Sequence, residues 1–290
     1  MTSGIDDDPI IRIDSPRPDF NGSLIQFLIG VTQVSMAPED EDGWRDLRSD
    51  PPDESDLITA FQPFEEAFEL GGDSFRFMQD PSVKGTDRWL IDSLLIEMPP
   101  SDMAGKDNRD LFVKRSTVQA ICPECAAQAL YTIQTNSPAG GRGHMTSMRG
   151  GGPLTTLVSG EILWETVALN LIPDSYDKIS NPDRAVFPWM GEIPTSENGA
   201  ILTPIDAHPC HAYFGMPKRL YLDDSNFQKG FCDLCGVESE MLMTHYWARP
   251  YGIKYSEWMH PLSPYYLKAD KTGDVWLLSL IHISEPTRPY

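Results

Sequence analysis

Two CxxC pairs, Cys122-Pro-Glu-Cys125 and Cys232-Asp-Leu-Cys235, stand 107 positions apart (Cys125 to Cys232) in a chain whose only other cysteine is Cys210. Four thiolates in two such knuckles can close a tetrahedral shell around one zinc ion, and a shared shell would tie distant segments into one fold. The separation also admits two independent sites, redox or disulfide chemistry in each pair, or ordinary buried thiols. One shared structural zinc is the expectation, with Cys122, Cys125, Cys232 and Cys235 as its ligands.

At 290 residues and 40% hydrophobic content the chain can bury a substantial core, as one large domain or two ordinary ones. No stretch approaches the roughly 18 apolar residues of a spanning helix. The opening MTSGIDDDPI is acidic, unlike a secretion signal. A cytoplasmic, reducing location is expected, consistent with cysteines in metal-type spacing.

The net charge of −20 argues at first against a polyanionic partner, but the charge is unevenly placed. Residues 1–103 hold 23 acids and 7 bases, and residues 104–290 hold 20 acids and 16 bases. Between Ala104 and Leu154 the 6 bases outnumber the 3 acids. A Debye length of about 8 Å at physiological salt screens such a local basic segment from a distant acidic face. Charge alone therefore excludes neither kind of partner.

Leu24, Phe27, Leu28, Val31 and Val34 follow helical spacing, as do Leu57, Phe61, Phe64 and Phe68, and both segments read as amphipathic core helices. Trp89, Leu90, Leu94 and Leu95 suggest a third helix stopped by Pro99-Pro100. Leu111-Phe112-Val113 reads as a short strand, and Ala126, Ala129, Leu130 and Ile133 as a helix rising from the first knuckle. After the glycine-rich NSPAGGRGHMTSMRGGGP come an expected strand at Leu154–Val158 and a helix at Glu161–Leu171. Residues 172–212 read as irregular chain, and short β runs follow at Arg219–Leu222 and Met241–Trp247. The class is α+β, with helices early and small strands late.

The glycine stretch holds no GxxxxGK[ST] and no complete GxGxxG opening a helix, so a nucleotide pocket is not indicated. Gly140, Gly141 and Gly143 around Arg142 would let backbone approach a ligand closely, although composition alone favours a flexible connector. His208, Cys210 and His211, with His245 and His260, have no spacing that fixes a second metal site. Glu161 and Glu165 read as a solvated helix face. No nucleophile elbow, HExxH or paired catalytic carboxylates occur, so nothing supports an enzyme.

The ordered words CPECAAQALYTIQTNSPAGG, SMRGGGPLTTLVSG, ILWETVALNLIP, YFGMPKRLYL, CDLCG and YGIKYSEWMHPLSPYY, with Phe77-Met78-Gln79 upstream, resemble the CasA family from about Leu24 to Leu267. CasA is the large subunit of Cascade, the type I-E CRISPR surveillance complex. The resemblance implies a large mixed N-terminal domain with a four-cysteine zinc knuckle. It also implies a non-catalytic role: inspecting the protospacer-adjacent motif (PAM) of double-stranded DNA while guide RNA reads the target, then docking a helicase-nuclease. Other Cascade subunits and guide RNA are the implied partners. Gly140, Gly141, Arg142 and Gly143 match the family's minor-groove glycine loop. Counting back from Trp258 puts Arg249 at its lysine finger, with Lys254 as the alternative. Phe112, Val113 and Lys114 match a further loop that touches nucleic acid and neighbouring subunits. Minor-groove edges separate A·T from G·C better than they separate orientations, so several PAM sequences should be tolerated.

Two departures from the family qualify the expected domain limits. No hydrophobic-Trp-Ile-Pro-Val word precedes Ile10. The end, LSLIHISEPTR from Leu278, equals the translation of a transposon-library adapter, so native text is expected over 1–277, with 278–290 adapter-derived and the glutamine wedge and C-terminal helical bundle missing. Two rival classes remain: a zinc-stabilised scaffold binding basic proteins, and a dithiol oxidoreductase with low-titrating CxxC thiols.

Overall fold

The computed structural model describes residues 8–72, 75–96, 98, 117–138, 143–150, 154–173, 179–269 and 275–279. Its first helix, α1 (Pro18–Met36), opens on a proline at a position whose N–H would be unpaired anyway, with Asp19 in the first turn against the helix dipole. The amphipathic helix expected over Leu24–Val34 is thus longer, and it buries polar as well as apolar positions. Gln33, 1% exposed, survives burial because its side-chain amide donates to the Ile172 carbonyl (3.0 Å) and accepts from the Ile172 N–H (2.8 Å).

Helix α2 (Glu41–Ser49) was not expected. It buries no residue and carries mostly charged side chains, so apolar periodicity leaves no trace of it. Asp40 caps it, and paired indoles hold it to α5 (Leu163–Leu169): Trp44 donates to the Ala168 carbonyl at 2.8 Å and Trp164 to the Leu47 carbonyl at 3.0 Å. Between them, α3 (Glu54–Phe61) starts at a reciprocal Asp53–Asp56 capping box. The helix expected to continue to Phe68 changes to 3-10 geometry at Gln62–Phe68, where Pro63 removes a backbone donor.

The expected helix over Trp89–Leu95 is not formed. Asp87–Leu90 is an edge strand, β1, followed by a 3-10 turn at Ile91–Leu94. Pairing with a distant strand wins over the local pattern there, a tertiary effect that no window of sequence displays. The helix after the first knuckle, α4 (Pro123–Thr135), is where it was expected. The strand expected at Leu154–Val158 is not formed; Thr156 N–H donates to the Leu262 carbonyl and Val158 is clasped at both backbone groups by the Asn170 amide.

Residues 179–212 are irregular apart from short 3-10 turns and the two-residue strand β2 (Ile201–Leu202). Then follow β3 (Arg219–Leu222), β4 (Gln228–Phe231), β5 (Glu238–Leu242), β6 (His245–Arg249), β7 (Lys254–Tyr255), β8 (Tyr265–Ala269) and β9 (Val275–Ser279). The single run expected over Met241–Trp247 is divided between β5 and β6. The main sheet is antiparallel, ordered β1-β6-β3, with Trp89 opposite Tyr246 and Tyr221 opposite Trp247. Strand β2 pairs β7 in parallel, and β4-β5 and β8-β9 are antiparallel pairs. Leu278 and Ser279, the first residues of the expected adapter translation, lie in β9; residues 280–290 lie outside the described residues.

One apolar cluster draws residues from Phe20 to Leu262, so both halves of the chain share a core. Packed against it, the partly buried Phe27 of α1 meets Phe68, Tyr131 and Phe214 edge-on at centroid distances of 5.4, 5.2 and 6.4 Å. Such pairs add about 0.5–1.5 kcal/mol each beyond their buried area. Gln79 ties this core to the sheet, donating to the Leu70 carbonyl and accepting from Leu222 N–H at 2.8 and 2.9 Å.

Candidate functional site

The two knuckles meet. Cys122 is the N-cap of α4 and Cys125 lies in its first turn, while Cys232 and Cys235 form the turn between β4 and β5. Their sulfur atoms all lie within 4.8 Å of one another, and Cys122 Sγ to Cys235 Sγ is 3.7 Å. Tetrahedral zinc with Zn–S bonds of about 2.3 Å would set its sulfurs about 3.8 Å apart, so this grouping fits a metal shell with little rearrangement.

Backbone pairing makes that meeting unavoidable. Ile121 and Met243 exchange both N–H···O bonds, at 3.0 and 2.8 Å, which fixes the chain just before Cys122 to the end of β5. Asp233 accepts the N–H groups of Gln119 and Ala120 at 2.7 and 2.8 Å, and its own N–H donates to the Ala120 carbonyl. Gly236, at φ +73, turns the second knuckle so that its N–H reaches the Cys232 carbonyl.

The thiols are unlike one another electrically. Burial pushes Cys122 up to about 12 and raises Cys125 further. Burial would also raise Cys232, but backbone N–H groups of Cys235, Cys122 and Leu234 bring it down to about 7. Donors aimed at sulfur favour the thiolate, the form that binds metal. Cys210 stands apart: 1% exposed and raised to about 12 by burial, it is a core thiol.

The glycine stretch is described only from Gly143 onward; Gly140, Gly141 and Arg142 lie outside the described residues, as do Phe112, Val113 and Lys114 with the strand expected there. Gly143 itself adopts φ +79, and its carbonyl accepts the Tyr251 N–H at 2.6 Å. A Cβ on Gly143 would stand 2.8 Å from Pro250 Cβ, so only glycine allows the approach. The foot of the glycine stretch therefore rests on the turn that immediately follows Arg249.

Arg249 is the last residue of β6 and is exposed; its side chain has no ion pair among the described residues. It faces Arg219 across the ladder, but Arg219 is neutralised by Asp80 at 2.8 Å and Glu197 at 3.2 Å. Lys254, also exposed, lies in β7 beyond the turn. The turn between them is rigidly seated: a Cβ on Gly252 would come within 1.9 Å of the Pro217 carbonyl oxygen, so any side chain there must displace the turn. Tyr255 anchors its far side, accepting the Met216 N–H at 2.8 Å and lying 3.1 Å from His211 Nε2.

His211 is thus a buried structural histidine, lowered by burial to about 4. Among the described residues the histidines considered for a second metal site do not converge; the four cysteines are the grouping that does. Two basic residues escaped the sequence reading as site components. Arg149 reaches from the glycine-rich stretch to Gln26, Asn136, Thr155 and Ser263, joining four segments through neutral acceptors. Lys218 lies under the Gly252 turn, where its Cα is 3.3 Å from the position of an added Gly252 Cβ. Its place in the word GMPKRLYL was the available signal, but nothing in the spacing showed what it would face.

Among the described residues no helix is long and apolar enough to cross a membrane. The family model described as CRISPR-associated protein Cse1 matches residues 2–282. In fold the chain is similar to CasA of Thermus thermophilus, at 18% identity and a TM-score of 0.60 over 93% of this chain and 51% of that one. It is similar to Cse1 of Thermobifida fusca at 16% identity and a TM-score of 0.60, over 92% and 51%. A chain of a CRISPR RNA-guided surveillance complex matches at 15% identity and a TM-score of 0.52, over 92% and 54%. The chain spans about half the length of these structures.

Proposed function

Because the chain belongs to the CRISPR-associated Cse1 family, also called CasA, we propose that it acts as the non-catalytic large subunit of a type I-E surveillance complex and reads the PAM of double-stranded DNA. The observation that carries this is the Tyr251 N–H to Gly143 carbonyl bond, 2.6 Å long. It brings the glycine stretch and the Arg249 turn, far apart in sequence, to one place on the surface. An exposed arginine with no carboxylate partner among the described residues suits a narrow minor groove, where flanking phosphates concentrate negative potential. Gly143, seated against the turn after Arg249, offers backbone without a Cβ, which suits close approach to base edges.

The four-cysteine centre is assigned to structural zinc. The donor set is all sulfur, all four positions come from the protein, and three of the cysteines are buried, which describes a closed shell and not a catalytic one. Zinc there would hold the start of α4 and the β4-β5 hairpin together, and through α4 and β6 the two groove-facing segments. Phe231, Val237 and Met241 leave that hairpin apolar on its outside, a surface suited to burial by a neighbouring subunit. Guide RNA and the other Cascade subunits are the assembly partners in this reading, and a helicase-nuclease is recruited after the PAM is accepted.

Arg249→Ala is the direct test. In the assembled complex it should weaken binding of a PAM-bearing duplex about tenfold, the scale of one lost charge-assisted contact, and leave the zinc content unchanged. Equal affinity would transfer the finger to Lys254, which Lys254→Ala then tests by the same titration.

A further inference from the structure

The junction beneath the glycine stretch holds a positive charge that the proposed PAM contacts do not use. Three segments converge there: Gly143-His144, Pro250–Gly252 and Pro217-Lys218. Gln134 clamps Lys218 at both backbone groups, accepting its N–H at 2.9 Å and donating to its carbonyl at 2.8 Å. The backbone of Lys218 is therefore fixed to α4, the helix that begins at the cysteine centre.

The side chain is treated differently. Arg76, Arg88 and Arg219 each have a carboxylate within 2.8 Å, and Arg149 has four neutral acceptors. The ammonium of Lys218, a half-buried residue, has neither among the described residues. Burial lowers Lys218 to about 8, and partial burial together with the Lys218 charge lowers the adjacent His144. In a chain of net charge −20, this corner leaves a cation underpaired. A half-buried charge without a partner destabilises the fold, and an anion brought to it would remove that cost.

We infer that Lys218 is a third contact of the same surface, holding a phosphodiester phosphate beside the groove that Arg249 enters. This rests on the duplex-reading role proposed above. Base edges would be read by the glycine stretch and Arg249, whereas Lys218 would supply affinity that does not depend on sequence.

The test uses the complex assembled with its partner subunits and guide RNA. Unsubstituted, Lys218→Met, Lys218→Arg and Arg249→Ala forms are titrated with PAM-bearing and PAM-less duplexes at several salt concentrations. Lys218→Met should weaken both duplexes by a similar factor, about tenfold, and reduce the slope of log affinity against log salt by about one. Lys218→Arg should restore most of the affinity. The melting temperature of Lys218→Met should stay level or rise, because an unpaired half-buried charge is gone; a purely structural lysine would give the opposite. Unchanged affinity and slope, or a loss of affinity that follows a lowered melting temperature, overturns the inference while PAM discrimination stands. If the unsubstituted complex shows no discrimination, the duplex-reading role itself fails, and the inference with it.

Discussion

Replacing Cys232 with serine should strip the chain of zinc and cost stability on a scale no other single change would match. Structural zinc bound by four thiolates contributes on the order of 10 kcal/mol to folding. Cys232 is the thiol best prepared to ionise, with backbone N–H groups bringing it to about 7. Serine offers a hydroxyl that does not ionise near neutral pH and cannot replace a soft sulfur ligand. Among the described residues, the Ile121–Met243 pair and the Asp233 bonds to Gln119 and Ala120 also cross the centre. Metal analysis of the purified protein should fall from about one zinc per chain to none, with early thermal unfolding and loss of PAM-duplex binding in the complex. Retention of zinc and binding by Cys232→Ser would refute the shared centre. An unreactive, zinc-bearing wild type would also exclude dithiol oxidoreductase chemistry.

The second large effect lies at Asp80, which follows Phe77-Met78-Gln79. Asp80 and Arg219 are 3% and 8% exposed and form a 2.8 Å ion pair linking the chain after the 3-10 helix to β3. Asp80 Oδ1 also accepts the Ser82 N–H at 3.0 Å, capping the Pro81–Val83 turn. Asp80→Ala would leave the Arg219 guanidinium buried with, among the described residues, only the half-exposed Glu197 as a carboxylate partner. Truncating one member of a buried pair costs about 3–5 kcal/mol, chiefly through the charge left behind. At about 2–4 °C per kcal/mol for a chain of this size, the melting temperature should fall by roughly 6–20 °C. Arg219 also stands opposite Arg249, so an uncompensated Arg219 would repel the proposed finger, and PAM-duplex affinity should fall along with stability. A melting temperature within about 2 °C of wild type would show that Glu197 and Ser82 suffice for Arg219.

The parts of this fold legible in the sequence were those dominated by local pattern. The CxxC spacing foretold both knuckles, and α1, α4 and β3 carried apolar periodicity that the core uses. Where distant partners decide the conformation, the pattern misled. Trp89 and Leu90 sit at helical spacing from Leu94 yet pair with Tyr246 and His245 in a sheet. Helix α2 is stabilised by its Asp40 cap and by Trp44 reaching across to Ala168, neither of which shows as an apolar stripe.

The candidate site divides in the same way. Cysteine identity and spacing singled out the four thiols whose sulfurs the fold brings within 4.8 Å of one another. The resemblance placed the finger at Arg249, counted back from Trp258, with Lys254 as the alternative; that Asp80 and Glu197 neutralise Arg219, which stands opposite Arg249, was visible only in the fold. The contact between Gly143 and Tyr251 depends on a fold that closes over residues far apart in the chain, so no local reading could supply it. Lys218 was hidden for a related reason: an unpaired charge is recognisable only when the surroundings that fail to pair it are known.

One surface, where Gly143 of the glycine stretch meets the Arg249 turn, is proposed to read the PAM from the minor groove. The most direct measurement is binding of the assembled complex to a duplex library randomised beside a fixed target. Enrichment of a small family of related flanking sequences is expected, with that enrichment reduced in Arg249→Ala at constant zinc content. Recovery of the library without enrichment, or of one strict sequence whose selection ignores Arg249 and Lys254, would contradict it.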